Sequence, residues 1–171
     1  MKNMFKMAAI LAVFCAISAG SLSFVYLSTR PQIELYARTA LQNSLREVLP
    51  GADSFIEKKG IYFGSRKGEQ IGYAVPVGQR GYSSEIKLLV GINIKGRTVG
   101  LKVLNQNETP GLGVNILKPA FLKQFYDKTV TDPLIPKKDI DAITGATIST
   151  RAVCDGVRQA LRLLSREGES K

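Results

Sequence analysis

Histidine is missing from this chain of 171 residues. Its absence removes every Ser-His-Asp and Cys-His dyad, every histidine metal site and any imidazole proton shuttle. Cysteine is nearly missing too: Cys15 lies in an apolar stretch and Cys154 in a helical pattern. Placed so differently, they form neither a disulfide nor a Cys-x-x-Cys redox or metal motif. Cys154 reads as a small buried apolar side chain. There is no internal repeat. Acidic residues are few against basic ones, 14 to 24, which leaves a formal charge of +10. Nucleic acid is the sharp reading of such a balance, but no recognition motif or basic run supports it, so it is excluded as a partner. The basic surface reads instead as solvated and suited to anionic lipid headgroups.

A long apolar run is present. Lys2 and Lys6 precede an uncharged stretch over 7–29, and about 20 such residues cross a bilayer. Tyr26 suits the far interface, and lysines ahead of the run place the N-terminal residues 1–6 in the cytoplasm and the body outside. Arg30, just after the run, works against that orientation. A cleaved signal peptide is the alternative, with Ser18-Ala19-Gly20 as a small-residue site. The apolar run continues past that site, which favours a retained anchor. A lipoprotein signal fails because bulky Phe14 directly precedes Cys15. One anchor without intramembrane charge is not an ion path.

Beyond the anchor the pattern predicts a linking segment over 30–52, with a helix opened by Pro31 and stopped by Pro50-Gly51. Ala37, Leu41, Leu45 and Val48 give that helix an apolar face. A domain over 53–166 follows. Strands are expected at 61–63, at 71–77 with Pro76 marking an edge or a strand end, at 85–94 and at 98–104. The last two form a hairpin around Lys95-Gly96 that is expected at the centre of the sheet. An amphipathic helix is predicted over 116–128, with Phe121, Leu122, Phe125 and Tyr126 on its apolar side. Pro133 and Pro136 mark a loop. A final helix, capped by Ser149 or Thr150, carries the stripe Val153, Val157, Ala160, Leu161 and Leu164. A polar tail over 167–171 ends the chain.

Two stretches stand out. In Asp141-Ala142-Ile143-Thr144-Gly145-Ala146-Thr147, two hydroxyls flank a nearly bare Gly-Ala pair just before a helix, whose free N–H groups suit an anion. In Glu108-Thr109-Pro110-Gly111-Leu112-Gly113, turn chemistry is flanked by a hydroxyl and an apolar side chain that suit a flat ring. Read alone, the first is a capped tight turn and the second a polar loop. Together, and with Gly81-Tyr82-x-x-x-Ile86-x-x-Leu89-Val90-Gly91-Ile92, they resemble the FMN-binding domain family. Over most of its length the chain is similar to the G subunits of Rnf-type ion-translocating electron transport complexes. C subunits of sodium-translocating NADH:quinone reductases are the next relatives.

The resemblance implies FMN joined through its phosphate to the hydroxyl of Thr147, with Thr144, Gly145 and Ala146 around the attachment. It implies that Glu108, Thr109, Gly111, Leu112 and Gly113 line the isoalloxazine. Relatives often carry His-Lys where this chain has Gln106 and Asn107. Thr147 has no neighbouring base, so a separate flavin transferase is implied, with Asp141 either recognised by it or serving as a turn residue. Other membrane and redox subunits of the complex are the implied partners, together with the bilayer itself. The expected fold is α+β: a transmembrane helix, then an FMN-binding domain whose mostly antiparallel sheet is packed by helices. The expected function is an electron carrier on the outer face of the cytoplasmic membrane, without turnover of its own. The competing functions are the equivalent component of a quinone reductase, a flavin-free tethered binding module, and a stand-alone flavin reductase. The last is disfavoured by the lack of an acid–base pair.

Overall fold

A computed structural model describes residues 2–168, with side-chain surroundings over 3–165. It divides into residues 1–41 and a compact domain from Gln42 onward. Helix α1 runs unbroken from Lys2 to Val48 with Pro31 inside it. The expected helix start at Pro31 is therefore corrected. A proline removes one N–H and displaces one carbonyl, but the turns on either side keep their own hydrogen bonds. Arg30 and Glu34 pair at 3.0 Å beside it. Side chains over 3–40 are exposed, and the most apolar window of α1 has a mean hydropathy of 2.2. The helix is long and apolar enough to cross a membrane.

In the domain, β1 (Ser54–Lys58), β2 (Ile61–Arg66), β3 (Glu69–Arg80), β4 (Glu85–Asn93) and β5 (Thr98–Asn105) form one antiparallel meander in chain order. The middle strand is thus β3. The β4–β5 hairpin lies to one side, not at the centre as expected, because β5 has no further strand to pair with. The Asn93 carboxamide closes the hairpin by accepting the N–H groups of Lys95 and Arg97. Strand β1 escaped the sequence reading because Ser-Phe-Ile-Glu-Lys is short, polar and almost wholly exposed. Pro76 lies within β3, opposite Leu89 of β4. Pairing with β2 ends at Ala74, so Pro76 has a strand on one side only. There β3 is locally an edge, which is where a strand tolerates proline.

The two faces of the sheet are covered by different elements. Val75, Val77, Leu88, Val90 and Ile92 pack with α3 (Thr147–Gly168) through Val153, Val157, Ala160 and Leu161, all buried. Each such valine, leucine or isoleucine contributes about 1.5–3 kcal/mol by leaving water. Cys154 belongs to this core, and burial pushes its thiol up to about 12. The opposite face receives the end of α1. There the cross-strand pairs Gly64–Gly72 and Gly91–Gly100 leave bare backbone. A Cβ on Gly64 would stand 2.3 Å from Leu49, and one on Gly91 would stand 1.8 Å from the Val48 carbonyl.

The helix expected over 116–128 is broken into a 3-10 turn Gly113–Leu117, a short α2 (Pro119–Leu122) and a second 3-10 turn Lys123–Phe125. Pro119 forces Lys118 into extended backbone (ψ 132°) and so interrupts the helix. Phe121 and Phe125 still reach the core, edge to face at 5.4 Å. Helix α3 starts at Thr147, so Ser149 and Thr150 lie inside its first turn and are not its caps, a correction to the expected start. It continues to Gly168, and residues 169–171 of the expected tail lie outside the described residues, as does Met1.

Candidate functional site

Three connections meet at one end of the sheet: the β3–β4 loop (81–84), the chain leaving β5 (106–113) and the turn into α3 (143–146). A carboxylate joins the first two to the helix. Glu108 is 4% exposed. It accepts the N–H groups of Tyr82 (3.2 Å), Ser83 (3.1 Å) and Ser84 (3.3 Å) and the hydroxyl of Ser149. Burial opposes its charge, but the bonds from Ser149, Ser83, Ser84 and Tyr82 outweigh burial and hold the carboxyl below its ordinary value. Two glycines make room for it. A Cβ on Gly81 would be 2.5 Å from Glu108 Oε1, and one on Gly113 would be 2.6 Å from Glu108 Cβ. Gln106 accepts the Glu108 N–H at 2.6 Å, and Asn107 donates its N–H to Ser84 Oγ at 2.8 Å. These two residues therefore hold the loop in place.

The turn into α3 is built around Thr150. Its buried hydroxyl accepts the Ile143 N–H at 3.2 Å and donates to the Ala146 carbonyl at 2.9 Å. The Ala146 N–H returns to the Ile143 carbonyl at 3.0 Å. Gly145, third in this turn, has φ 76°, the positive angle a type II turn requires there. A Cβ on it would also stand 2.9 Å from Leu112. The two singled-out stretches are thus in contact. The first backbone bond of α3 runs from the Thr150 N–H to the Ala146 carbonyl at 2.9 Å. The N–H groups of Thr147, Ile148 and Ser149 consequently have no acceptor within the helix.

A cleft of about 470 Å³ opens between these segments, within the range of small-ligand sites. It is lined by Glu108, Thr109, Leu112, Gly113, Gly145, Ala146 and Thr147, all singled out from the sequence. Gly111, Thr144 and Asp141 are outside the lining. Gly111 (φ 77°) shapes the loop, Thr144 is exposed in the turn, and Asp141, exposed, is tied by its N–H to Gln124 Oε1 at 2.7 Å. Tyr82, Ile148 and Ser149 also line the cleft. Sequence reasoning did not name them as site residues. Tyr82 carried one signal, its place in the Gly81–Ile92 stretch that resembles the family, whereas Ile148 and Ser149 carried only their position directly after Thr147.

The chemistry of the lining fits FMN. Thr147 is exposed, so its hydroxyl is open to modification. The free N–H groups and the dipole of a 22-residue helix favour an anion there by about 0.3–1 kcal/mol. Leu112 and Ile148 are 45% and 50% exposed and offer apolar surface to a ring. The cleft's one carboxylate is already satisfied by its four donors. A second cleft of similar volume lies among Lys58, Phe63, Tyr73, Ile94 and Leu164. It has no helix start and neither motif.

Known proteins place the chain. The family model for the FMN-binding domain matches residues 81–162, and that for the RnfG N-terminal region matches residues 1–48. The G subunit of the proton-translocating ferredoxin:NAD(+) oxidoreductase complex of Clostridium ljungdahlii is 36% identical over 160 residues, 88% of this chain and 86% of that one. The chain belongs to the G-subunit family of ion-translocating oxidoreductase complexes. Another member, from the Na(+)-translocating ferredoxin:NAD(+) oxidoreductase complex of Acetobacterium woodii, is 31% identical over 95% of this chain and 92% of its own. The counterpart in the ion-translocating oxidoreductase complex of Methanosarcina acetivorans is 33% identical over 96% of both. Relatives within this one family thus bear names with different ions. The crystal structure of Shewanella oneidensis NqrC shares the fold at a TM-score of 0.51 and 20% identity, covering 67% of this chain and 66% of that one. The motif-based resemblance to the G-subunit family is borne out.

Proposed function

We propose that this chain is a membrane-anchored flavoprotein that carries FMN through a phosphoester to Thr147 and relays electrons within an ion-translocating ferredoxin:NAD oxidoreductase. The observation that carries the reading is an exposed threonine hydroxyl at the first residue of α3, inside a cleft where both motifs meet. Bound FMN would supply the electron-carrying chemistry that no side chain here provides. The start of α3 binds the phosphate end. Thr109, Leu112 and Gly113 border the ring end, and Glu108 fixes the loops that form the walls. Thr144 and Gly111 shape the two turns.

The chain offers no free base beside Thr147, since the Glu108 oxygens are engaged. Attachment therefore belongs to a separate flavin transferase using FAD. The new bond joins Thr147 Oγ1 to the flavin-side phosphorus and AMP leaves. Exposed Asp141 is presented to that enzyme. Residues 1–6 are cytoplasmic, 7–29 span the membrane, and the domain from Gln42 onward, which carries the cleft, lies on the outer face. Other subunits of the complex deliver and remove the electrons, so the isolated chain has no turnover of its own. A quinone reductase assignment draws only on a fold likeness, whereas the match over 1–48 carries the RnfG description.

The test is the intact mass of the denatured full chain, made with and without a flavin transferase. With the transferase, the mass rises by one FMN less water, and Thr147→Ala abolishes the rise. An unmodified chain beside an active transferase would sink the attachment and favour the flavin-free tethered module.

A further inference from the structure

Among the described residues lining the cleft, Tyr82 alone is aromatic, and it is 69% exposed. An exposed aromatic on a loose loop is ordinary. This loop is fixed at both ends. The Gly81 N–H donates to the Ser84 carbonyl at 2.8 Å, and the next three N–H groups converge on the buried Glu108 carboxylate. Ser149 ties that carboxylate to the first turn of α3. The position of the Tyr82 backbone is therefore set relative to Thr147, although the two residues belong to different elements.

Such an arrangement presents a large apolar ring to a cleft without a loop-ordering cost at binding. Oxidised isoalloxazine is flat and electron-poor, whereas a phenol ring is electron-rich. Offset face contact between such rings is favourable beyond the apolar area it buries. Leu112 and Ile148 offer further apolar contact in the same cleft. From these placements we propose that Tyr82 stacks on the isoalloxazine of FMN held at Thr147 and closes the cleft over it. The proposal rests on the reading of Thr147 as the attachment site, and its test separates the two.

Flavin fluorescence reads the contact directly. An excited flavin in contact with a phenol takes one electron from it and gives it back, so emission is lost without net chemistry. Phenylalanine is too hard to oxidise to do this. The full-length flavinylated chain in detergent is first checked by denatured mass, which reports the attachment alone. Its emission per flavin is then compared before and after unfolding. The native protein is expected to be severalfold dimmer. Tyr82→Leu and Tyr82→Phe brighten the native flavin severalfold, and Tyr126→Leu, outside the cleft, leaves it unchanged. Equal emission from native and unfolded wild type overturns the stack, as does native Tyr82→Leu that stays as dim as wild type. If the variants take up no flavin, the comparison of native and unfolded wild type decides alone. If the wild type shows no adduct, the attachment reading fails, and quenching of added FMN by wild type but not by Tyr82→Leu tests Tyr82 independently.

Discussion

Replacing Glu108 by glutamine keeps the side chain's shape but turns one of its two acceptor oxygens into a donor that faces groups which are themselves donors. Three N–H groups and a hydroxyl depend on those oxygens, and hydrogen bonds to a charged group contribute about 1.5–3 kcal/mol. Glu108→Gln is therefore expected to lower the thermal midpoint of the full chain in detergent by that order of destabilisation. The pH dependence has a definite sign. The native carboxyl titrates below its ordinary value of 4.5, so its stabilisation is complete above that value and fades as pH falls through the native one. Wild type should lose stability more steeply than Glu108→Gln as pH falls below that ordinary value. Parallel pH profiles would show that the carboxylate does not hold the loops. The sequence singled out this glutamate as a contact for the ring, and the structure gives it three backbone partners besides. That bracing role was hidden because its donors come from a loop more than twenty positions upstream, brought alongside only by the β3–β4–β5 register.

The same limit on legibility operates between elements. The apolar stripe of α3 and the strands β4 and β5 were readable because a period or an alternation lies within each segment. The glycines were not. A lone glycine in a strand carries no local pattern that says what packs on it. Only pairing turns Gly64, Gly72, Gly91 and Gly100 into two bare patches that receive Val48 and Leu49. Likewise the spacing of Phe121 and Phe125 points to one helix, but a short helix flanked by two 3-10 turns satisfies it equally. The two motifs, in contrast, carried most of the cleft, because tight turns demand particular residues locally. The glycine patches make a prediction at this scale. A Cβ on Gly100 would meet the Val48 carbonyl at 2.3 Å, and backbone yields less readily than a side chain. Gly100→Ala should cost about 1–3 kcal/mol and raise amide exchange over 44–49, where Ser44, Leu45, Val48 and Leu49 are buried. Unchanged exchange in that segment, at unchanged stability, would show that the end of α1 is not seated on the sheet.

For the whole molecule, the two units answer to different solvents. Side chains over 3–40 are exposed although most of the first part is apolar, a surface that water disfavours and a bilayer accepts, at about −0.3 to −0.6 kcal/mol for each central Leu, Ile, Phe or Val. The domain from Gln42 onward has its own buried core and carries the cleft. Lysines stand before the span and Arg30 directly after it, so charge counting alone favours an outward domain only weakly. The direction has a mechanistic consequence. Ferredoxin and NAD, named for the relatives, are reagents of the cell interior, so an outward flavin obliges electrons to cross the bilayer through partner subunits. A carrier on the inner face would impose no such crossing. Trypsin added to right-side-out membrane vesicles is expected to shorten the flavin-bearing chain, and inside-out vesicles should protect it until detergent is added. The reverse pattern would put the cleft on the cytoplasmic face and remove the transmembrane electron step from the account, while leaving the proposed attachment at Thr147 untouched.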